Sequence, residues 1–274
     1  MSLTYYLSSA HQNNKLIVKS FTKGAYLMNR SNIFNRWDAQ QYLTDYYNNI
    51  SQDELATLSF LCHEAKKIKN QPIALEFGSG PTIHHVLPIA PYVSELHMAD
   101  YLSSNLNEIR KWKTKQREAH DWYKFTDYIL SNDATYVAHD QDQIAQREDL
   151  TRQKITHFYE LGLGKKNKYD VVISCYCADS ATESRSDWYR YMSNIIGLLK
   201  KSGGFLLIAA LRNCHSYRVG NNYFPSANIN ENDINILFSK NHIAKHSSTI
   251  KIAYVPETKS YGYDSIVLAS GFVS

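Results

Sequence analysis

The chain has 274 residues, 43% of them hydrophobic and 20% charged, the composition of a globular protein with one large domain or a core domain plus an appendage. Thirty Lys and Arg against 26 Asp and Glu leave a formal charge of +4 with no long block of either sign, so no footprint for nucleic acid is expected. The longest apolar runs, 171–178 and 205–211, fall well below the roughly 20 residues of a membrane helix. The opening residues carry no leader-like apolar stretch, and the expectation is a cytoplasmic protein without a membrane.

Residues 1–70 lack strand alternation and read as a helical cap. Phe34 to Tyr47 is aromatic at helical spacing, and Ser51 to Lys69 is an amphipathic helix with a basic end. From Pro72 the pattern becomes short apolar runs alternating with helical stretches. Ile73 to Phe77 is a strand, the turn Gly78-Ser79-Gly80-Pro81-Thr82 leads into a helix through Ala90, and Val93 to Ala99 is a second strand. A helix follows from Ser103 to Lys115, then a polar, helical insertion over about 122–153. Lys154 to Leu161 and Tyr169 to Tyr176 are the next strands, Trp188 to Lys200 is a helix, and Phe205 to Leu211 is a further strand. Apolar strands alternating with helices describe a parallel sheet covered on both faces. Thr249 to Val255 and Ser265 to Phe272 break the rhythm as an antiparallel pair with a turn near Gly262. The predicted organisation is therefore a cap over 1–70 and an α/β domain over 71–274.

Cys62, Cys175, Cys177 and Cys214 form no CxxC pair and no zinc-spaced group with histidine, so reduced thiols and no metal are expected. The 21 tyrosines suggest pockets lined by rings with polar tips.

The strongest local signal is the glycine turn. Glycines closing a first strand let backbone approach a ligand, and the segment after them offers free N–H groups. A dinucleotide fingerprint wants a third glycine where this chain has Ile83, and no Lys-Ser/Thr follows, which excludes a P-loop. Asp100, twenty residues after Gly80, closes the second strand and is placed to accept from ribose hydroxyls. A nucleoside-bearing cofactor without a pyrophosphate fits this pattern, and S-adenosylmethionine is such a molecule. The alternative is a plain strand-to-helix turn beside a loop carboxylate.

These residues, Glu76-Phe77-Gly78-Ser79-Gly80-Pro81-Thr82 and Ala99-Asp100-Tyr101 with Asn105, resemble the nicotinamide / phenylethanolamine / indolethylamine N-methyltransferase family, whose loop reads D-I-G-S-G-P-T and whose second strand ends in T-D-Y. The resemblance continues through Leu106 to Trp112, Ala119 to Trp122, Tyr169 to Ser174 and Leu198 to Phe205. It covers most of residues 34–224 and is thin over 123–168. It implies a Rossmann-like class I methyltransferase fold, a mostly parallel seven-stranded sheet with an antiparallel last strand, beneath an N-terminal helical lid. It also implies a largely monomeric protein.

Carried over by position, the lid tyrosines Tyr42 and Tyr47 meet the methionine end of S-adenosylmethionine. Gly78, Gly80 and Thr82 hold its amino-acid moiety. Asp100 and Asn105 take the ribose hydroxyls and the methionine part, Tyr101 lies against the adenine, and Cys175 stands at a threonine position beneath the sheet. The family's adenine-binding Asp-Val pair has no clear match, with His157, Phe158 or Tyr159 in its place. On spacing alone, Tyr42, Tyr46 and Tyr47 read as core aromatics.

On the acceptor side, Asp179 stands where the resemblance places an acidic residue that contacts the amine; the competing reading is a helix N-cap. The family's second carboxylate, at the end of the fifth strand, is read here as Ala209, with Arg212 three residues on. One carboxylate fewer and a nearby cation shift the expected acceptor toward a neutral or acidic one. Tyr217 resembles an aromatic wall over a flat substrate. His215, Arg218 and Asp264 could reach the pocket, but read more readily as solvated surface residues. His84 and His85 read as a helical surface pair, with a base as the alternative. Three functions stay open: N-methylation of a small amine or heteroaromatic nitrogen, O-methylation of a small phenol or carboxylic acid, and cofactor binding without transfer.

Overall fold

The computed structural model describes residues 37–132, 141–160 and 168–274. The earlier part of the predicted cap, residues 1–36, and the predicted strand end at Leu161 lie outside the described residues.

Seven strands form the main sheet: β1 (Ile73–Phe77), β2 (Glu95–Asp100), β3 (Ile155–Glu160), β4 (Val171–Cys175), β5 (Phe205–Leu211), β8 (Thr249–Tyr254) and β9 (Ser265–Phe272). Their order is β3-β2-β1-β4-β5-β9-β8, with β9 antiparallel to both of its neighbours. The antiparallel strand is thus inserted next to the edge, and β8 forms the edge itself. This is the Rossmann-like arrangement the resemblance implies.

Burial of both faces explains why the central strand β5 carries apolar residues at every position. On β5, Phe205, Leu207, Ala209 and Leu211 enter one core layer, while Leu206, Ile208 and Ala210 enter the other. The first layer lies under α2 (Gln52–Ala65), α3 (Ser103–Lys113) and α4 (Tyr123–Ser131), the second under α6 (Arg185–Ile196) and α7 (Glu231–Lys240). The insertion is helical as expected, with α5 (Gln141–Lys154) running directly into β3. Above the C-terminal ends of the strands lies α1 (Ala39–Tyr46), capped by Asp38, whose Oδ1 accepts the Gln41 N–H at 3.0 Å. No helix among the described residues is long and apolar enough to cross a membrane.

Two expectations are corrected. The segment after the glycine turn is a run of turns, with bonds such as Val86 N–H to Ile83 and Ala90 N–H to Val86, rather than a helix. Pro88 supplies no N–H and its ring opposes the carbonyl four residues back, which prevents a regular helix there. Consequently His84 and His85 are not a surface pair: both are buried. β5 ends at Leu211 as expected, and Ala209, the position matched to the second carboxylate, sits within it in the core, in register with Cys175 on one side and Leu268 on the other.

Two elements had not been anticipated. A hairpin joins β6 (Ser216–Val219) to β7 (Asn222–Pro225) through Gly220-Asn221, with Gly220 at positive φ. The helix α7 starts at a reciprocal cap between Asn230 and Asp233.

Candidate active site

The glycine turn closes β1 beneath the lid. Gly78 and Gly80 have φ of 77° and 58°, conformations that side chains with a Cβ rarely adopt. At Gly78 a Cβ would stand 2.1 Å from Cys177 Sγ, whereas at Gly80 it would meet nothing within 4 Å. The first glycine is required by packing, and the second leaves open space where a ligand's backbone-like end can lie. Thr82 is buried and donates its hydroxyl to Ser79 O at 2.8 Å, so it braces the turn from within.

Asp100 is fixed on both oxygens. Oδ2 accepts the Gly80 N–H at 2.8 Å, and Oδ1 accepts from Leu102 N at 2.8 Å and Asn105 Nδ2 at 2.9 Å. Burial raises its pKa, and these donors work against that rise. Oδ2 keeps acceptor capacity for a further hydroxyl. Tyr101, beside it at the rim, is half exposed. On β3, Glu160 pairs in register with Asp100, while His157 and Tyr159 stack on each other next to His97, and Phe158 lies under the Arg110 guanidinium at 4.7 Å. Glu160 is thus a carboxylate at the cleft that the sequence reading passed over, since it lay in the segment of thinnest resemblance.

The lid is tied to both walls. Trp37 Nε1 donates to Asn105 Oδ1 at 2.7 Å, and Tyr46 Oη accepts the N–H of Gly220 in the β6–β7 turn. Between them Tyr42 and Tyr47 bring their hydroxyls to 3.4 Å. Burial pushes the Tyr42 hydroxyl up to about 12 and Tyr47 well above its usual value, so both act as neutral groups.

Cys175 is buried at the end of β4, with its thiol pushed well up by burial. The chain then turns through Tyr176, at φ 51°, to Asp179. Asp179 is 2% exposed and accepts the Leu211 N–H at 2.9 Å. Burial raises its pKa to about 6. It begins a short 3-10 turn, Asp179–Ala181, rather than capping α6, whose cap is Ser184. Tyr217 on β6 stacks on Phe224 at 5.5 Å. Its hydroxyl is raised by burial and further by Tyr42 and Asp179. Arg212 is turned to α7, where Glu231 takes its guanidinium on both oxygens at 2.7 and 3.1 Å. A further carboxylate, Asp53 of α2, accepts from Tyr263 Oη at 2.8 Å on Oδ2, while its Oδ1 is buried without a hydrogen-bond partner.

Behind Tyr47 lies a group that the sequence reading did not assemble. Glu54 Oε2 is 3.0 Å from His84 Nε2 and 3.4 Å from His85 Nε2, and His85 Nδ1 is 3.0 Å from Glu76 Oε1. Their separation in sequence hides it: only α2 packed on the post-glycine turns brings the donors together.

Residues 25–266 match the sequence model of the NNMT/PNMT/TEMT family. Nicotinamide N-methyltransferase of Homo sapiens is 29% identical over 157 residues, covering 56% of this chain and 59% of that enzyme. The Sus scrofa enzyme of that name is 26% identical over 216 residues, covering 75% and 78%. Indolethylamine N-methyltransferase of Mus musculus is 26% identical over 151 residues, covering 54% and 57%. The matched stretch is thus less than two thirds of the human and mouse relatives' length. Among solved structures, N-methyltransferase NodS from Bradyrhizobium japonicum superposes with a TM-score of 0.48 at 12% identity, covering 81% of this chain and 96% of that one. The family match extends over far more than half of the sequence and over every element of the cleft just described: the chain belongs to the NNMT/PNMT/TEMT family.

Proposed function

We propose that the protein transfers a methyl group from S-adenosylmethionine to a nitrogen of a small-molecule acceptor, releasing S-adenosylhomocysteine. The observation that carries this reading is the Asp100 carboxylate, locked between Gly80 and Asn105 at the end of β2 beside a glycine whose Cβ position is open. That cradle fits a ribose and an amino-acid end, with Asn105 alongside, Tyr101 at the adenine rim and Glu160 on the adenine side. Cys175 underlies the cleft, and the lid residues Tyr42 and Tyr47 close over the methionine end. When bound, S-adenosylmethionine supplies a methyl carbon activated by a sulfonium. Held by these residues, that methyl would be open to in-line attack by the acceptor nitrogen's lone pair, with the C–S electron pair returning to sulfur; an amine product would then lose a proton, whereas a pyridine-type nitrogen would keep the positive charge. The protein's task in such an in-line displacement is chiefly orientation.

Asp179 and Tyr217 form the acceptor side: the ring is a wall for a flat substrate, and the carboxylate accepts the acceptor's N–H or its departing proton. Arg212 gives no support to an acidic acceptor. Its cation was the reason to expect an acidic acceptor, and Glu231 neutralises it.

Calorimetric titration with S-adenosylmethionine and S-adenosylhomocysteine, with NADH as control, tests the cofactor. Labelled-methyl transfer to a panel of amines, pyridines, phenols and carboxylic acids tests the acceptor. Binding of both adenosyl ligands and labelling of nitrogen compounds are expected. Absence of adenosyl binding refutes the whole reading, and exclusive labelling of oxygen refutes the acceptor assignment.

A further inference from the structure

Glu54, His84 and His85 take no part in the reaction above, yet their donor atoms converge. One atom from each lies within 4.8 Å of the other two, and all three residues are buried. Around zinc, with bonds of about 2.0–2.1 Å, ligands at adjacent tetrahedral corners stand about 3.3 Å apart. The separations from Glu54 Oε2, 3.0 and 3.4 Å, bracket that edge.

The surroundings are those of a ligand set. His85 is oriented through Nδ1 by the Glu76 carboxylate at 3.0 Å, the pairing that fixes a ligating imidazole's tautomer and aims its other nitrogen. His84 stacks on Trp122 at 5.2 Å and 9°, with the Tyr47 ring at 5.0 Å, so neither rotation nor water readily disperses the group. Of the three converging atoms, His85 Nε2, 3.4 Å from Glu54 Oε2, is buried without a hydrogen-bond partner, an unfavourable arrangement unless something engages it. Among the described residues the only ion-pair partners of Glu54 and Glu76 are these two imidazoles, so a dication would balance two buried carboxylates. Two imidazoles with one carboxylate and no thiolate suit zinc, cobalt or nickel rather than calcium or magnesium.

We propose that Glu54, His84 and His85 bind one divalent transition ion of the zinc type, which pins the first turn of α2 to the segment that follows Gly80. Three protein ligands leave a position for water. The ion acts by holding the wall behind Tyr47 in place, and the inference stands whether or not the methyl-transfer reading does.

The test strips the full-length protein with dipicolinate and titrates it with cobalt(II). One equivalent is expected to bind, with the visible absorption bands of low-coordinate cobalt, and X-ray absorption of the zinc form is expected to show nitrogen and oxygen neighbours with imidazole scattering and no sulfur. His84→Ala and His85→Ala should abolish binding. His157→Ala should not, although His157 belongs to a second Glu–His group with Glu95 and His97 at the partly exposed β2–β3 edge. Metal removal should lower the unfolding temperature of the wild type and leave that of His84→Ala unchanged. Should the histidine variants fail to fold, the wild-type spectra decide alone. Failure to take up cobalt or zinc at micromolar free metal, sulfur ligation, or loss of binding in His157→Ala overturns the assignment.

Discussion

Asp179→Asn separates what the carboxylate does for the reaction from what it does to the fold. Asp179 is buried, and its pKa rises from 3.8 to about 6, with burial as the cause. A carboxyl that holds its proton more tightly folded than unfolded contributes most below pH 4, where both states are protonated. As pH rises from about 4 to about 6, the unfolded chain ionises first, and stability is lost until the folded group ionises too. A shift of about two pH units corresponds to about 3 kcal/mol lost above pH 6. Asparagine carries no charge at any pH, and its Oδ1 can still accept the Leu211 N–H now bonded to Asp179. Above pH 6 the variant should therefore be more stable than the wild type by about 1–3 kcal/mol, part of the gain being offset by the new amide's own unpaired donor. For a domain of this size that is roughly 2–10 °C in unfolding temperature. Calorimetric scans of both proteins at pH 4.5, 6 and 8 check this: the difference should grow from pH 4.5 to 6 and then level off. The same variant should keep its affinity for S-adenosylhomocysteine and lose most turnover in the labelled-methyl assay, while the wild type's turnover should rise with pH through about 6. A stability difference that does not change with pH refutes the burial argument. Undiminished turnover reduces Asp179 to a tie between the 179–181 turn and β5.

Asp100→Ala removes the carboxylate that holds Gly80, Leu102 and Asn105 together with the proposed ribose site. Two charged hydrogen bonds lost should weaken S-adenosylhomocysteine at least about a hundredfold by calorimetry, and unchanged affinity would remove the ribose assignment. Gly78→Ala and Gly80→Ala should part company. The first drives a methyl into Cys177 and should cost several kcal/mol or prevent folding. The second meets open space, costs about 1–2 kcal/mol from its positive φ, and should chiefly lower cofactor affinity; equal denaturant midpoints for the two would contradict the packing described. Trp37→Phe deletes the 2.7 Å bond to Asn105 but keeps the ring. It should raise the dissociation constant for S-adenosylhomocysteine roughly two- to tenfold, and an unaltered constant would mean that the lid does not steady the ribose side.

What the sequence disclosed follows from the range of the interactions involved. Strands β1, β4 and β5 are apolar because both of their faces are covered, and that pattern is local, as are the glycine turn and the strand-ending Asp100. The hairpin after Tyr217 carried its own turn signal in Gly220-Asn221, but Arg218, Asn222 and Tyr223 blur the alternation because that strand pair is half solvated. The end of β5 at Leu211 was legible from the apolar run, and the sheet bears it out, since Leu211 still pairs with Ile266. The misplacement of His84 and His85 has a different root. Helical spacing put them on a surface, and Pro88, three residues after His85, undid the helix that the spacing assumed. Arg212 and Glu231, and likewise Glu54 and the two histidines, meet only through tertiary packing, and no window of sequence contains both partners.

The lid shows how these long-range contacts become function. An isolated helix of eight residues, the length of α1, is not stable in water, so its order depends on what it touches. The segment 37–46 touches both walls of the cleft: Asn105 through Trp37, just before the helix, on the proposed ribose side, and the β6–β7 turn through Tyr46 on the proposed acceptor side. Asn105 is in turn bonded to Asp100, and Tyr217 and Phe224 of the hairpin, the proposed aromatic wall, stack on each other. Anything that steadies Asp100 and Asn105 therefore steadies the lid, and a steadied lid presents Tyr42 and Tyr47 to whatever lies between the walls. On the proposed reading, ordering the helix would also assemble the acceptor side, and occupation of the ribose side would favour both.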